Sequence, residues 1–240
     1  MPAREFDLVI VGAGSSGLTA AGFAAQLGAS VALVEKNRIG GDCTWTGCVP
    51  SKALLKAAKV AHEIRTASRF GISTIPPVIE LANVRAYVRH AIEQVYRFES
   101  PEELHKRGIE VIQGAARFVD SRNIQVGDQL ICGRTFLLTT GARPRIPAIE
   151  GLNDVPFLTY EQIFDNDRLP RSMIVIGGGP IGMEMAQAYR RLGADVTVVA
   201  DRLLPKDEPE ARDVIRRVFE REGVRFVRAE RNRRASKPTR

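Results

Sequence analysis

One arrangement of residues occurs twice in this chain and leaves few folds open to it. Phe6-Asp7-Leu8-Val9-Ile10-Val11 is a short apolar run of buried-strand type, and Gly12-Ala13-Gly14-Ser15-Ser16-Gly17 follows at once. Leu18 to Leu27 reads as an apolar helix closed by Gly28, and Ser30 to Glu35 as the next strand. Ser172 to Val199 repeats this order at an offset of 165 residues, with Gly177, Gly179 and Gly182 in the places of Gly12, Gly14 and Gly17. Three glycines so spaced permit a tight turn, close approach of backbone to a pyrophosphate, and tight packing of helix on strand. The phosphates then meet the N–H groups of the helix N-terminus. The expected fold class is α/β with two Rossmann-like dinucleotide-binding units, the second incomplete. Glu35 ends its strand 18 residues after Gly17, where an acid accepts hydrogen bonds from ribose hydroxyls. The matching position is Ala200, so the two loops are expected to prefer different ligands.

Between the units lies Gly40-Gly41-Asp42-Cys43-Thr44-Trp45-Thr46-Gly47-Cys48-Val49-Pro50-Ser51-Lys52, with two of the three cysteines and the only tryptophan. A disulfide needs Cα atoms less than about 7 Å apart. Five residues along a regular helix rise roughly 7.5 Å. A bridge between Cys43 and Cys48 therefore requires an irregular turn, which Gly47 permits. Pro50 suits the first turn of a helix, and Val49 to about Arg69 reads as that helix, with Leu54, Leu55, Ala58, Ala61, His62 and Arg65 at helical spacing. Cys48 then sits at a helix N-terminus, where the partial positive charge favours a thiolate. Cys43 is placed in the preceding loop, as the better candidate for meeting a substrate. Two ordinary buried cysteines are the bland alternative, and the surrounding glycines and Lys52 weigh against it. Structural zinc wants four ligands at pairwise spacing, and only Cys132 and the scattered His62, His90 and His105 remain, so no metal site is expected.

Composition narrows the function classes. No run of about 18 uncharged apolar residues exists, so no membrane span is expected. The polar start, Met1 to Asp7, leads directly into a strand and gives no signal peptide, so a cytoplasmic location is expected. There a cysteine pair is more often catalytic than structural. The net charge of +7 invites a nucleic-acid partner, but residues 225–240 hold seven Arg and Lys against one acid, Glu230. The body is nearly neutral, no nucleic acid is expected, and 229–240 reads as a basic disordered tail.

The remaining segments read as scaffold. Leu81 to Phe98 is helical by spacing, with Tyr87, Val88, Ile92, Val95 and Tyr96 as core. Glu102 to Lys106 is a short helix and Ile109 to Ile112 a strand, and Gly114-Ala115 turns into Ala116 to Val119. Asn123 to Val126 and Gln129 to Cys132 form a hairpin over Gly127-Asp128, and Phe136 to Thr139 is a separate buried strand. Arg143 to Asn153, rich in proline and glycine, reads as the linker between domains at 1–147 and 148–228. Glu208 to Glu222 is an amphipathic helix and Val224 to Val227 a strand.

The order Gly12-x-Gly14-x-x-Gly17, Gly41-x-Cys43-x4-Cys48-x-Pro50-Ser51-Lys52, Thr140-Gly141-Ala142-Arg143-Pro144 and Gly177-x-Gly179-x-x-Gly182-x-Glu184 resembles the class I pyridine nucleotide-disulfide oxidoreductases, over roughly residues 5–228. These FAD enzymes include dihydrolipoamide dehydrogenase, glutathione reductase and mercuric reductase. The stretches around Cys43 and Pro205 to Glu210 look most like the mercuric reductase-like branch. The resemblance implies that the first glycine unit and Glu35 bind the ADP half of FAD. Gly41, Gly114, Ala115, Thr140 and Gly141 would line the FAD cleft, and Lys52 would sit near the flavin. Cys48 would be the charge-transfer thiol and Cys43 the interchange thiol of a redox-active disulfide. Gly177, Gly179, Gly182 and Glu184 would serve NAD(P)H; the residues themselves favour NADPH, since Ala200 replaces an acid and Arg202 lies two residues on, with Asp201 between them working against it. Electrons would pass from NAD(P)H through flavin to the Cys43–Cys48 disulfide, and on to a small-molecule disulfide or a soft-metal ion.

Members of that family are about twice this length. They are homodimers and carry, later in the chain, a dimerisation domain and a His–Glu acid/base pair. The expectation is therefore a truncated member, at best weakly active alone. The rival readings are a non-catalytic dinucleotide-binding fragment and a flavin monooxygenase-like protein. The cysteine pair counts against the second.

Overall fold

The computed structural model describes Arg4–Ala229; the Arg-rich stretch from Glu230 onward, read above as a disordered tail, lies outside the described residues. By contact density the chain falls into two units. The first gathers the described residues up to Pro50 with Ala86–Asp165, and the second Ser51–Arg85 with the described residues from Asn166 on.

The first unit is built on a six-stranded sheet. Its strands are β1 (Arg4–Val11), β2 (Val31–Glu35), β3 (Ile109–Gln113), β4 (Ala116–Phe118), β5 (Asn123–Val126) and β6 (Gln129–Leu138), in the order β3-β2-β1-β6-β5-β4. Strands β3, β2, β1 and β6 run parallel, and β5 and β4 add antiparallel. All five residues of β2 are buried, because a central parallel strand is covered on both faces. One face of the sheet packs Ile10, Val31, Leu33 and Ile109 with Ala21 of α1 (Ser15–Gln26) and with Leu104 of α5 (Pro101–Lys106). The other packs Val9, Ala32, Val34 and Ile112 against Ile124, Val126 and Ile131 of the hairpin. The short helix α2 (Gly41–Trp45) and the start of α3 (Cys48–Thr66) complete this unit's cysteine segment.

The second unit repeats the first half of that sheet. Its strands β7 (Ser172–Ile176), β8 (Asp195–Ala200) and β9 (Arg225–Arg228) are parallel in the order β7-β8-β9. Helix α6 (Pro180–Leu192) follows the glycine loop, and α7 (Pro209–Arg221) leads to β9. Arg191 Nη2 pairs with Glu222 Oε1 at 2.6 Å, with Gln187 also donating to Glu222, so α6 is tied to the end of α7. The edge strand β7 exposes Ile174 and Ile176.

The two glycine loops match in detail. Gly12 and Gly177 have φ of +108° and +114°, and their N–H groups donate to the Val34 and Val199 carbonyls. Gly14 and Gly179 open α1 and α6, each without a side-chain cap. A Cβ on Gly182 would come 2.6 Å from the Gly177 carbonyl oxygen, and one on Gly17 would overlap that of Gly12. Helix and strand meet backbone to backbone at both places.

Several boundaries differ from the pattern-based reading. Gln129–Cys132 and Phe136–Thr139 are not separate: β6 runs unbroken from Gln129 to Leu138, and Leu137 and Leu138 are exposed rather than buried. Gly133 lies opposite Phe6, and the space a side chain would take there is filled by Val9 Cγ2 and the Phe136 ring. Helix α3 begins at Cys48 and gives way after Thr66 to a 3-10 turn, Ala67–Phe70, capped by Gly71. The next helix, α4 (Leu81–Tyr96), stops short of Phe98. Leu81, Val88 and Ile92 are its core residues, while Tyr87 is exposed.

The loop packing makes a stability prediction. Gly17→Ala forces a methyl group into the Gly12 carbonyl and is expected to destabilise the chain by about 1–3 kcal/mol in urea titration, the cost of an overpacked core.

Candidate functional site

The first unit draws its sequence-marked residues to the C-terminal ends of β1 and β2, where open parallel sheets bind ligands. Gly14 and Gly40 form a bridge between the glycine loop and the turn before α2, and a Cβ on Gly41 would lie 2.7 Å from the Gly14 Cα. Thr139 Oγ1 donates to the Gly12 carbonyl at 2.7 Å, which sets Thr140 and Gly141 beside the same loop. Gly114 N donates to the Glu35 carbonyl at 2.8 Å, which brings the Gly114-Ala115 turn to the end of β2. Glu35 is buried, and its carboxylate accepts from the Ala13 N–H and the Asn37 N–H, each at 2.7 Å. Each carboxylate oxygen keeps acceptor capacity beyond these bonds.

Cys43 lies within helix α2, not in a loop, and Cys48 is the first residue of α3. Gly47 makes the connection possible: a Cβ there would come 2.7 Å from the Asp42 carbonyl oxygen. The structure holds both cysteines as thiols, Cys43 half-buried and Cys48 exposed. Burial, then the hydrogen bond and charge of Cys48, push the Cys43 thiol up from 9.0 to about 11. That cuts its thiolate fraction at neutral pH by about a hundredfold. The cysteine turn is also held from outside. Trp45 Nε1 donates to the Ile39 carbonyl at 2.7 Å, and the Trp45 ring meets Tyr96 at 5.1 Å and the Arg38 guanidinium at 5.1 Å. Thr44 Oγ1 donates to Glu99 Oε2 at 2.7 Å. Tyr160 donates to Asp42, and burial, followed by the Asp42 charge, raises the Tyr160 phenol above its ordinary value. Among the described residues Thr46 Oγ1 is a buried side-chain oxygen with no partner.

In the second unit Lys52, one turn along α3 from its first residue, pairs its ammonium with Glu184 Oε1 at 2.5 Å. Glu184 lies on α6 just after Gly182. The segment after β8 folds against the glycine loop: Leu204 N donates to the Gly178 carbonyl at 2.6 Å, and a Cβ on Gly178 would meet the Arg202 carbonyl at 2.5 Å. Ala200 is in register with Arg228 of β9, whose guanidinium lies 4.0 Å from Asp201. Sequence reasoning missed Glu99, Tyr96, Tyr160 and Arg228. The first three lie 51 to 118 residues from the groups they touch, with no shared periodicity to announce them.

The profile of the pyridine nucleotide-disulphide oxidoreductases matches residues 6–239. A mercuric reductase of Streptomyces lividans is 34% identical over 226 residues, covering 91% of this chain and 48% of its own length. A dihydrolipoyl dehydrogenase of Bacillus subtilis is 34% identical over 243 residues, covering 94% and 50%. The Cu(II) complex of the HOCl-induced flavoprotein disulfide reductase RclA from Escherichia coli superposes with a TM-score of 0.76 at 25% identity, over 92% of this chain and 48% of that one. The chain thus spans half or less of the length of these relatives.

The raised Cys43 thiol predicts its own titration. In the reduced chain the rate of Cys43 alkylation by iodoacetamide should rise with a midpoint near pH 11. Cys48→Ala removes the Cys48 thiol and leaves burial in place, so peptide mass spectrometry should find the midpoint lower but still above that of an unburied cysteine.

Proposed function

This chain belongs to the pyridine nucleotide-disulphide oxidoreductase family, and from that premise we propose that it is the redox half of a flavoprotein that reduces small disulfides or soft-metal ions. The observation that carries this is the reduced Cys43–Cys48 pair set on a tight turn beside the first glycine loop. In this reading residues 1–147 form the FAD domain and 148–228 the NAD(P) domain.

The residues fit both cofactors. Gly14 and Gly179 open helices without side-chain caps, so no cap side chain competes with a pyrophosphate for the first N–H groups of α1 and α6. A Cβ on Gly179 would meet nothing within 4 Å, which leaves the approach clear. Gly12, Gly14, Gly17, Glu35, Gly41, Gly114, Ala115, Thr140 and Gly141 would hold FAD. Gly177, Gly179, Gly182 and Glu184 would hold NAD(P)H. Bound together, these cofactors supply an electron pair for the Cys43–Cys48 disulfide.

The chain's own part is thiol chemistry. Two electrons and two protons convert the disulfide to two thiols. The Cys43 thiolate attacks a substrate disulfide, forming a mixed disulfide and releasing one thiolate. Cys48 then attacks Cys43, restoring the protein disulfide and releasing the second thiol. Because the Cys43 thiol is raised to about 11, the first attack needs a proton acceptor at neutral pH. The Lys52 ammonium, fixed by Glu184, supplies a positive charge one turn from Cys48. No helix among the described residues is long and apolar enough to cross a membrane. A cytoplasmic setting, where thiols cycle, suits this chemistry.

One measurement tests the function. After loading with FAD, two-electron reduction should give a long-wavelength absorption band that Cys48→Ser abolishes. Survival of the band in that variant, with loss in Cys43→Ser, would exchange the roles of the two thiols; its absence from the parent chain would overturn the thiol–flavin assignment.

NADPH is the proposed donor. Ala200 removes the acid that would repel a 2′-phosphate, and Arg202 and Arg228 flank that strand end. Ala200→Glu should shift the preference toward NADH by about 1–3 kcal/mol in competitive titration. Equal binding of both nucleotides by the parent chain would refute the preference.

A further inference from the structure

We propose that Glu99 is a positioning residue for the Cys43–Cys48 pair, holding through Thr44 the turn that carries Cys43 and placing a carboxylate beside that thiol. This role rests on the thiol-exchange function above.

Glu99 is itself well fixed. Its N–H donates to the Tyr96 carbonyl at 2.9 Å, and the next residue, Ser100, caps α5 by accepting from Glu103 N. From this turn Glu99 Oε2 accepts the Thr44 hydroxyl at 2.7 Å. Thr44 is 1% exposed, so its hydroxyl has lost its solvent alternative, while Glu99 is half-buried. Gly40 makes the approach possible: a Cβ there would stand 2.8 Å from Glu99 Oε2 and 2.7 Å from Thr44 Cβ. Three residues earlier on the same segment, Tyr96 packs on Trp45. The two residues that follow Cys43 are thus both gripped from residues 96–99, at one point by a hydrogen bond and at the other by a ring.

The carboxylate also acts by its charge. Besides burial, the groups bearing on the Cys43 thiol are Cys48 at the head of α3, whose thiol opposes ionisation and whose backbone N–H favours it, and Glu99 from the α4–α5 connection, whose charge opposes it. Asp42, its neighbour on α2, is engaged by Tyr160. Glu99 therefore favours the protonated form of Cys43 once the pair is reduced. A bracket without an electrostatic part could use glutamine equally well, since glutamine keeps an acceptor oxygen for Thr44.

That difference gives the test. In the full reduced chain, Cys43 alkylation by iodoacetamide is followed against pH by peptide mass spectrometry, with Cys132 as the internal reference. Glu99→Gln should speed Cys43 alkylation between about pH 8 and 9 by roughly two- to fivefold, leave Cys132 unchanged, and shift the whole profile to lower pH. Glu99→Asp, which keeps the charge on a shorter side chain, should speed Cys43 less than Glu99→Gln does. Should Glu99→Gln not fold, Thr44→Val removes the hydroxyl that anchors the Glu99 carboxylate next to the Cys43 turn, and with the carboxylate released Cys43 should again react faster. A Glu99→Gln profile identical to the parent's, or an unchanged rate in Thr44→Val, overturns the proposal. Separately, mild oxidation of the parent chain with diamide should join Cys43 to Cys48. Failure of that cross-link would refute the exchange function while the alkylation profiles still judge Glu99.

Discussion

Backbone meets backbone where Gly12, Gly14 and Gly17 sit, and the first unit depends on the absence of side chains there. The Gly12 Cα faces the carbonyl of Thr139 at the end of β6, Gly14 faces Gly41 at the start of the cysteine turn, and Gly17 faces Gly12 itself. A methyl group at Gly12 or Gly17 would push apart two elements whose separation is set by main-chain contact. Because Gly14 touches Gly41, the glycine loop also locates the helix that bears Cys43. Cofactor loop and thiol turn are therefore one construction.

Around that junction buried polar groups are few, and those of Glu35 and Thr44 are paired, while Thr46 Oγ1 has no partner among the described residues. Glu35 spends its carboxylate on two backbone N–H groups, joining the glycine loop to the residues just past β2. Thr44 spends its hydroxyl on Glu99. The Ala13–Glu35 and Thr44–Glu99 bonds join residues 22 and 55 positions apart and fix their segments directionally, which apolar contacts do less sharply. The pair Lys52–Glu184 is different in kind. Its lysine is mostly exposed, so its contribution to folding is slight and its interest lies in where it puts a positive charge.

Much of this was legible from the residues alone. The glycine spacing, the apolar runs of β1, β2, β7 and β8, and the offset between the repeats set the parallel sheets, because each obeys a local rule of strand, turn or helix start. Cys48 at the head of α3 followed from Pro50 in its first turn. The failures share a cause. Gly133-Arg134-Thr135 reads as a break, yet β6 continues, since neighbouring Val9 and Phe136 fill the gap at Gly133. The glycines around Cys43 suggest an irregular loop, yet α2 forms a single turn of helix between them. The Thr44–Glu99 bond and the Trp45–Tyr96 contact join residues dozens of positions apart. They depend on how helices settle on the sheet, and no periodicity encodes that.

Strands β1 and β7 are built to one recipe and end up in different company. On one side of each lies the strand that its glycine loop and helix lead to. On its other side β1 has β6, which arrives after the antiparallel hairpin, and it is thereby an interior strand. Among the described residues β7 has no such neighbour, and Ile174 and Ile176 face outward. The repeated module thus specifies half a sheet and a phosphate-facing loop, and is silent about the other flank. Whether its first strand is a spine or a margin is decided by segments outside the module, so duplication of the module multiplies binding loops without duplicating a finished domain.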